Sequence, residues 1–224
     1  MGLFGISDLH LSFDKDKPMD VFFGWDNYVS RIEENWKKTV KEDDIVVLPG
    51  DFSWALKLEE TKPDFLFLEK LPGKKILLKG NHDLWWSTAK KIKEFFEKEN
   101  LKTVDIVFNN CYLVGEYAIC GTRGWVKETQ DEEKILKREA ARLETSIKSA
   151  LDNGKKPIVF LHYPPVSADS ISKEIIEVLK KYSIDTVYHG HIHGANSNYV
   201  KNYDGISFVL LSCDHLDFTP LPIF

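Results

Sequence analysis

The chain has 224 residues, 43% of them hydrophobic and 29% charged, and carries a formal net charge of −5 at pH 7. That length and apolar content can build a sizeable core and predict a single domain spanning residues 1–224. No apolar run approaches the roughly 20 residues of a membrane span, and the negative charge works against nonspecific binding to a phosphate backbone, which draws on clustered Lys and Arg. Cys111, Cys120 and Cys213 are odd in number and lack Cys-x-x-Cys spacing, so reduced thiols are expected rather than a disulfide frame. Met1 to Ser7 lacks a basic n-region and Asp8 interrupts its apolar character, so the expected location is the cytoplasm.

In chain order, Leu3 to Ser7 reads as a strand, and Asp8-Leu9-His10 follows it directly. Asp26 to Val40 is amphipathic at helical spacing, with Val29, Ile32, Trp36 and Val40 on one side and Arg31, Glu33, Glu34 and Lys37 on the other. The β-branched run Ile45 to Leu48 ends in Pro49-Gly50-Asp51, a turn that delivers one carboxylate at a strand exit. A helix is predicted over Lys62 to Leu71. The short apolar run Ile76-Leu77-Leu78 then stops at Lys79-Gly80-Asn81-His82-Asp83. Thr88 to Glu99 predicts a further helix. Asp105 to Phe108, Cys111 to Val114 and Tyr117 to Cys120 are short strands separated by turn residues, the pattern of antiparallel hairpins. Asp131 to Leu151 is the longest helical pattern, stopped by Asn153-Gly154. Pro157 to Leu161 is a strand ending in His162, and Ser172 to Lys181 a helix. Thr186 to Tyr188 ends in His189-Gly190-His191-Ile192-His193, and Ser207 to Ser212 completes a sheet.

Five strands therefore end in polar side chains. In an open sheet with parallel strands, that edge is where ligands sit. Together the exits supply Asp8, His10, Asp51, Asn81, His82, Asp83, His162, His191 and His193. Carboxylates, an amide oxygen and several imidazoles without a thiolate suit Mn, Fe, Zn or Ni better than Ca or an iron–sulfur cluster. One ion leaves too many donors unused, and a carboxylate on a short buried loop such as Asp51 can bridge two ions roughly 3.5 to 4 Å apart. Asp8 and His10, two apart in an extended segment, point the same way; His191 and His193 must diverge, which requires a turn at Gly190. Asp83 is placed to accept the His82 imidazole N–H and fix its tautomer. Trp54, Trp85 and Trp86 follow the polar exits closely and either wall a cleft or pack in the core. Arg123, between glycines, offers a guanidinium that can clamp a phosphoryl oxygen. His189 reads as a strand-end residue satisfied by the backbone, and His215 as a polar loop residue or a contact behind the ligands.

The ordered set Asp8-Leu9-His10, Gly50-Asp51, Gly80-Asn81-His82-Asp83, His162 and Gly190-His191-Ile192-His193 resembles the calcineurin-like metallophosphoesterases, whose fold is that of the purple acid phosphatases. The resemblance implies a four-layer α/β/β/α sandwich of two mixed β-sheets flanked by helices. It implies two divalent or mixed-valence transition metal ions (Mn, Fe or Zn), one held by Asp8, His10 and His193 and the other by Asn81, His162 and His191, with Asp51 bridging. The activity implied is hydrolysis of a phosphomonoester or phosphodiester, small or nucleotide-like, by a hydroxide bridging the metals, with His82 as general acid. A non-catalytic scaffold with the same fold is the alternative.

Overall fold

The computed structural model describes residues 1–126, 132–194 and 198–224. Its elements run β1 (Leu3–Gly5), α1 (Tyr28–Thr39), β2 (Ile45–Pro49), α2 (Lys62–Glu69), β3 (Lys74–Leu78), α3 (Ala89–Lys98), β4 (Val104–Ile106), β5 (Tyr112–Val114) and β6 (Tyr117–Thr122). They continue through α4 (Glu133–Asp152), β7 (Lys156–Leu161), α5 (Lys173–Lys181), β8 (Thr186–His189), β9 (Asn202–Tyr203), β10 (Ile206–Leu210) and β11 (Leu221–Pro222). One sheet has the order β11-β1-β2-β3-β4 and the other β5-β6-β7-β8-β10-β9. In the first sheet β1 to β4 run parallel and β11 is an antiparallel edge; in the second, parallel β6, β7, β8 and β10 are flanked by antiparallel β5 and β9.

Period-two patterning sorts the strand side chains into layers. In β2, Ile45 and Val47 point into the core between the sheets, and Val46 and Leu48 point toward the helices. In β7, Phe160 points between the sheets and Val159 and Leu161 face the other helical layer. The central core joins Leu3, Val47, Ile76 and Leu78 to Ile119, Phe160 and Leu211. Outside the first sheet lie Ile32 and Trp36 of α1, Phe65 and Leu68 of α2, and Ile92 and Phe96 of α3. Outside the second lie Leu143 and Ile147 of α4 and Ile175 and Leu179 of α5. The result is the α/β/β/α sandwich expected from the sequence.

Two features depart from the sequence reading. The predicted strand Asp105 to Phe108 is not part of an antiparallel hairpin: β4 is the parallel edge of the first sheet, with Val104 opposite Lys75. Helix α3 between β3 and β4 supplies the crossover that a parallel pair requires, whereas β5 and β6 form the antiparallel hairpin that the turn residues indicate. Strands β9 and β11 have two residues each, too few to carry a hydrophobic period. Helix α4 follows the predicted span, whose first residue, Asp131, lies outside the described residues. Among the described residues, no helix is long and apolar enough to cross a membrane.

Register sets where the site lies. Pro49 pairs with Leu78 and Leu161 with His189, so neighbouring parallel strands end level. The two sheets are stitched at that end by a bridge between Ser7 and Ser212, in which the Ser7 N–H donates to Leu211 O at 2.8 Å and the Cys213 N–H to Ser7 O at 2.9 Å. Because Phe160 is fully buried between the sheets, Phe160→Ala is expected to cost about 3–5 kcal/mol. Urea unfolding will show this as a lower midpoint at unchanged m-value; an unchanged midpoint would contradict the packing role.

Candidate metal centre

The loops at the level strand ends are shaped by unusual backbone. Asp8 (φ 60°), His10 (φ 47°), Asp51 (φ 52°) and His191 (φ 73°) all occupy the left-handed region, which Asp, Asn and His tolerate better than other non-glycine residues. Such conformations cost on the order of 1–3 kcal/mol each and persist where surrounding structure enforces them. Asp8 and His10 do converge, but not as alternate residues of an extended segment; the left-handed turns at both residues aim them. Glycine is required where these loops touch. A Cβ on Gly80 would lie 2.1 Å from Asp51 Oδ1, and one on Gly190 would lie 2.4 Å from Asp8 Oδ2.

Two groups of donors result. Asp8, His10 and His193 bring one ligating atom each to within 4.8 Å of one another, and so do Asp51, His162 and His191. Asn81 joins the second group, its Oδ1 2.6 Å from His162 Nε2 and 3.0 Å from His191 Nδ1. Asp51 Oδ2 faces both, 3.9 Å from His10 Nε2 and 3.4 Å from His162 Nε2. That oxygen is buried and has no hydrogen-bond partner among the described residues, while Oδ1 accepts the His82 N–H at 2.8 Å. A buried, unpartnered carboxylate oxygen between two nitrogen-rich clusters fits a shared cation ligand, because a cation would offset the desolvation that no hydrogen bond to that oxygen offsets.

Hydrogen bonds from behind orient the donors. His162 Nδ1 lies 3.1 Å from Pro49 O, so it donates there and leaves Nε2 free toward Asp51 and Asn81. Asp8 accepts the His191 N–H on both oxygens and the Ser212 hydroxyl at 2.9 Å. His193 Nδ1 lies 3.3 Å from Asp214 Oδ1, and Asp214 Oδ2 accepts the Gly194 N–H at 2.6 Å. Asp214 escaped the sequence reading, which weighed its neighbour His215 instead. The signal was a sixth polar exit, after the run Ser207 to Ser212.

Burial, with repulsion between the two carboxylates at Asp51, holds Asp8 and Asp51 above the usual carboxylate range. Burial likewise pushes His10 and His162 well below the ordinary histidine value and His191 down to about 4. Neutral imidazoles are the form that ligates cations. At His193 burial is outweighed by Asp214 and Asp8, which raise it.

Other predicted residues separate. His82 is exposed at the lip, its ring centroid 4.4 Å from Trp54 and 5.6 Å from His10, and burial, His193 and Lys17 lower its pKa. Trp54 stacks on His10 at 4.8 Å and does line the cleft. Asp83 has another task than the one expected: fully buried, it accepts the backbone N–H groups of Gly80, Asp51, Phe52 and Ser53 and the Trp85 indole N–H, tying the β2 and β3 loops together. With those five donors on its two oxygens, it is not the partner of the His82 imidazole. Trp85 is corrected as well, since it packs against Phe52 and Phe65 in the core. Arg123 does not face the donor clusters: it lies over the Trp125 ring and lines a separate cavity of about 160 Å³ with Lys79, Glu139 and Arg142. Its carbonyl accepts the His162 and Tyr163 N–H groups. His189 is buried, with Nδ1 3.0 Å from Gly190 O, as expected for a backbone-satisfied strand end.

A carboxylate raised in the fold above its unfolded value of about 3.9 favours folding when protonated, and that contribution is lost as pH rises through the folded value. Cation binding to the ionised pair removes the loss. The rise in Tm on adding Mn²⁺ is therefore expected to be larger at about pH 8 than at about pH 6. Equal increments by differential scanning calorimetry would contradict a cation held by Asp8 and Asp51.

A family model for calcineurin-like phosphoesterases matches residues 1–195. No curated protein matches the chain significantly. Among solved structures, a protein of unknown function, AQ665 from Aquifex aeolicus, is similar at 18% identity and a TM-score of 0.59, covering 99% of this chain and 95% of that one. Phosphopantetheinyl hydrolase (PptH) from Mycobacterium tuberculosis is similar at 15% identity and a TM-score of 0.50, covering 94% of this chain and 88% of that one. These two likenesses carry the fold; the family match, the sandwich and the two donor clusters agree, and the chain belongs to the calcineurin-like phosphoesterase family.

Proposed function

We propose that this protein hydrolyses a phosphoester, with Asp8, His10 and His193 holding one transition metal ion, Asn81, His162 and His191 holding a second, and Asp51 shared between them. The observation that carries this reading is the unpartnered Asp51 Oδ2, buried within 4 Å of imidazole nitrogens from both clusters. When bound, a pair of such cations polarises the phosphoryl oxygens and brings the pKa of water toward neutrality. The family's metal dependence supports the pair; Mn, Fe or Zn suits the donor set.

The chain's own residues supply orientation and a proton. Asp83 fixes the two loops that carry Asp51 and Asn81, and Pro49 and Asp214 set the imidazole faces of His162 and His193. The His82 N–H to Asp51 Oδ1 bond ties the position of the lip histidine to the shared carboxylate. Burial, His193 and Lys17 lower the His82 pKa in the free protein, and the negative charge of a bound phosphoryl group favours its protonated form. From the lip its imidazole then gives the proton to the departing alkoxide. The full donor complement argues against a non-catalytic module of the same fold. The 15% identity to a protein named phosphopantetheinyl hydrolase agrees with hydrolysis as the reaction class and assigns no substrate.

His82→Ala is expected to lower turnover about 100- to 10,000-fold with both ions retained, the loss being greatest for poor leaving groups. Unchanged turnover of a poor-leaving-group ester would remove His82 from the chemistry. Asp51→Asn should instead lower metal content measured by inductively coupled plasma mass spectrometry, because it removes the charge common to both clusters. Full occupancy with full activity would refute the shared role.

A further inference from the structure

The donor clusters open into a second feature that hydrolysis of a bare phosphoryl group does not need. A cleft of about 480 Å³ runs from His10, His82 and His193 to a wall formed by Met19, Phe22, Phe23, Trp25 and Trp54. That volume is in the range of cavities that take drug-sized ligands and far exceeds a phosphoryl group. Its two ends differ in kind. Imidazoles and Asp214 occupy the inner end, and the outer wall is aromatic and aliphatic.

The outer wall is a built feature. Residues Met19–Val21 form a single 3₁₀ turn, and its flanks are pinned: Met19 and Trp25 are buried, with Trp25 edge-on to Tyr28 at 5.4 Å and to Phe218 at 5.3 Å. The Arg31 guanidinium donates to Gly24 O at 2.8 Å, closing the loop from outside. Between the pins the chain holds Val21, Phe22 and Phe23 out, at 75%, 56% and 106% exposure. Apolar side chains grouped at the mouth of a cleft mark a binding surface more often than those scattered singly. Trp54 makes the floor continuous with the centre, since its indole stacks on His10, contacts His82 and carries the Lys17 ammonium over its ring at 4.7 Å.

We infer that this cleft is the leaving-group pocket, and that the substrate is a phosphoester of an alcohol with a large apolar body, aromatic or aliphatic, seated against Phe22, Phe23, Trp25 and Trp54. The inference rests on the reading of the site as a phosphoesterase, and the position of His82 sets the direction. An acid that protonates the departing oxygen stands on the side to which the alcohol leaves, and His82 faces this cleft. The phosphoryl group lies at the histidine end and the apolar body extends outward past the indoles to the phenylalanine lip.

The test is isothermal titration calorimetry of the metal-loaded protein with three non-hydrolysable phosphonates: methyl-, decyl- and 2-naphthylmethylphosphonate. At least one of the two large ligands should bind tenfold or more tightly than methylphosphonate, with a more negative heat-capacity change from apolar burial; whichever gains more identifies an aliphatic or an aromatic body. In Phe22→Ser/Phe23→Ser that advantage should collapse, with circular dichroism confirming the fold. Equal affinity for all three ligands would overturn the inference, as would an advantage that survives in the double variant. Loss of binding to phosphatidylcholine vesicles in the variant, with soluble phosphonate affinity unchanged, would overturn it in favour of a lipid surface. Binding is read without turnover, so a protein that prefers the large phosphonates but hydrolyses no ester refutes only the phosphoesterase reading, and one that hydrolyses esters without such a preference refutes only this inference.

Discussion

Everything at the open end of the sandwich is arranged around a carboxylate in a place where a carboxylate is unstable. Asp51 is buried, its Oδ1 accepts the His82 N–H, and its Oδ2 has no hydrogen-bond partner among the described residues. Burial of a carboxylate without compensation costs several kcal/mol, and nearby Asp8 and Asp83 make it worse. Among the described residues no arginine or lysine pairs with Asp51. The surroundings present neutral imidazoles, held neutral by burial. A hydrogen-bonding solution was available to the fold, as Asp83 shows with its five donors. The contrast between two acids on adjoining loops, one fully satisfied and one left open toward imidazole nitrogens, distinguishes a structural clamp from a candidate cation ligand.

The clamp also explains how the loops hold their shape. Left-handed backbone at Asp8, His10, Asp51 and His191 is locally unfavourable. It is enforced by main-chain bonds between loops, among them Asp8 N–H to Gly50 O and His10 N–H to Asp51 O, and by glycine contacts that leave no space for a side chain. The donor geometry is therefore braced by the backbone itself, which is the arrangement a site needs to bind without reorganising.

Much of this was legible in the residues alone. Apolar runs that stop abruptly at Asp, Asn or His report both the strand and its functional end, and all seven ligand candidates converge as two groups joined at Asp51. What sequence could not carry was direction. Asp83 closes the motif and Trp85 follows it by two residues, and spacing alone makes them neighbours of His82; only the fold turns them inward. Arg123 has the right chemistry for a phosphate clamp, but its side chain leaves β6 toward α4 and the Trp86 side, so it lines another cavity. Asp214 was missed for the converse reason: a single acid after the last strand carries no motif, and its role comes from the bridge that brings residues 7 and 212 together.

That bridge has a consequence for how the protein is made. Asp8 is synthesised some two hundred positions before the Ser212 hydroxyl that holds its carboxylate, the Asp214 that orients His193 and the Cys213 N–H that pairs with Ser7. A nascent chain halted just before Ser212 would carry all seven ligand candidates with no partner for Ser7 and no brace for His193. The contacts that hold Asp8 and orient His193 therefore close only once the segment that follows β10 has been made.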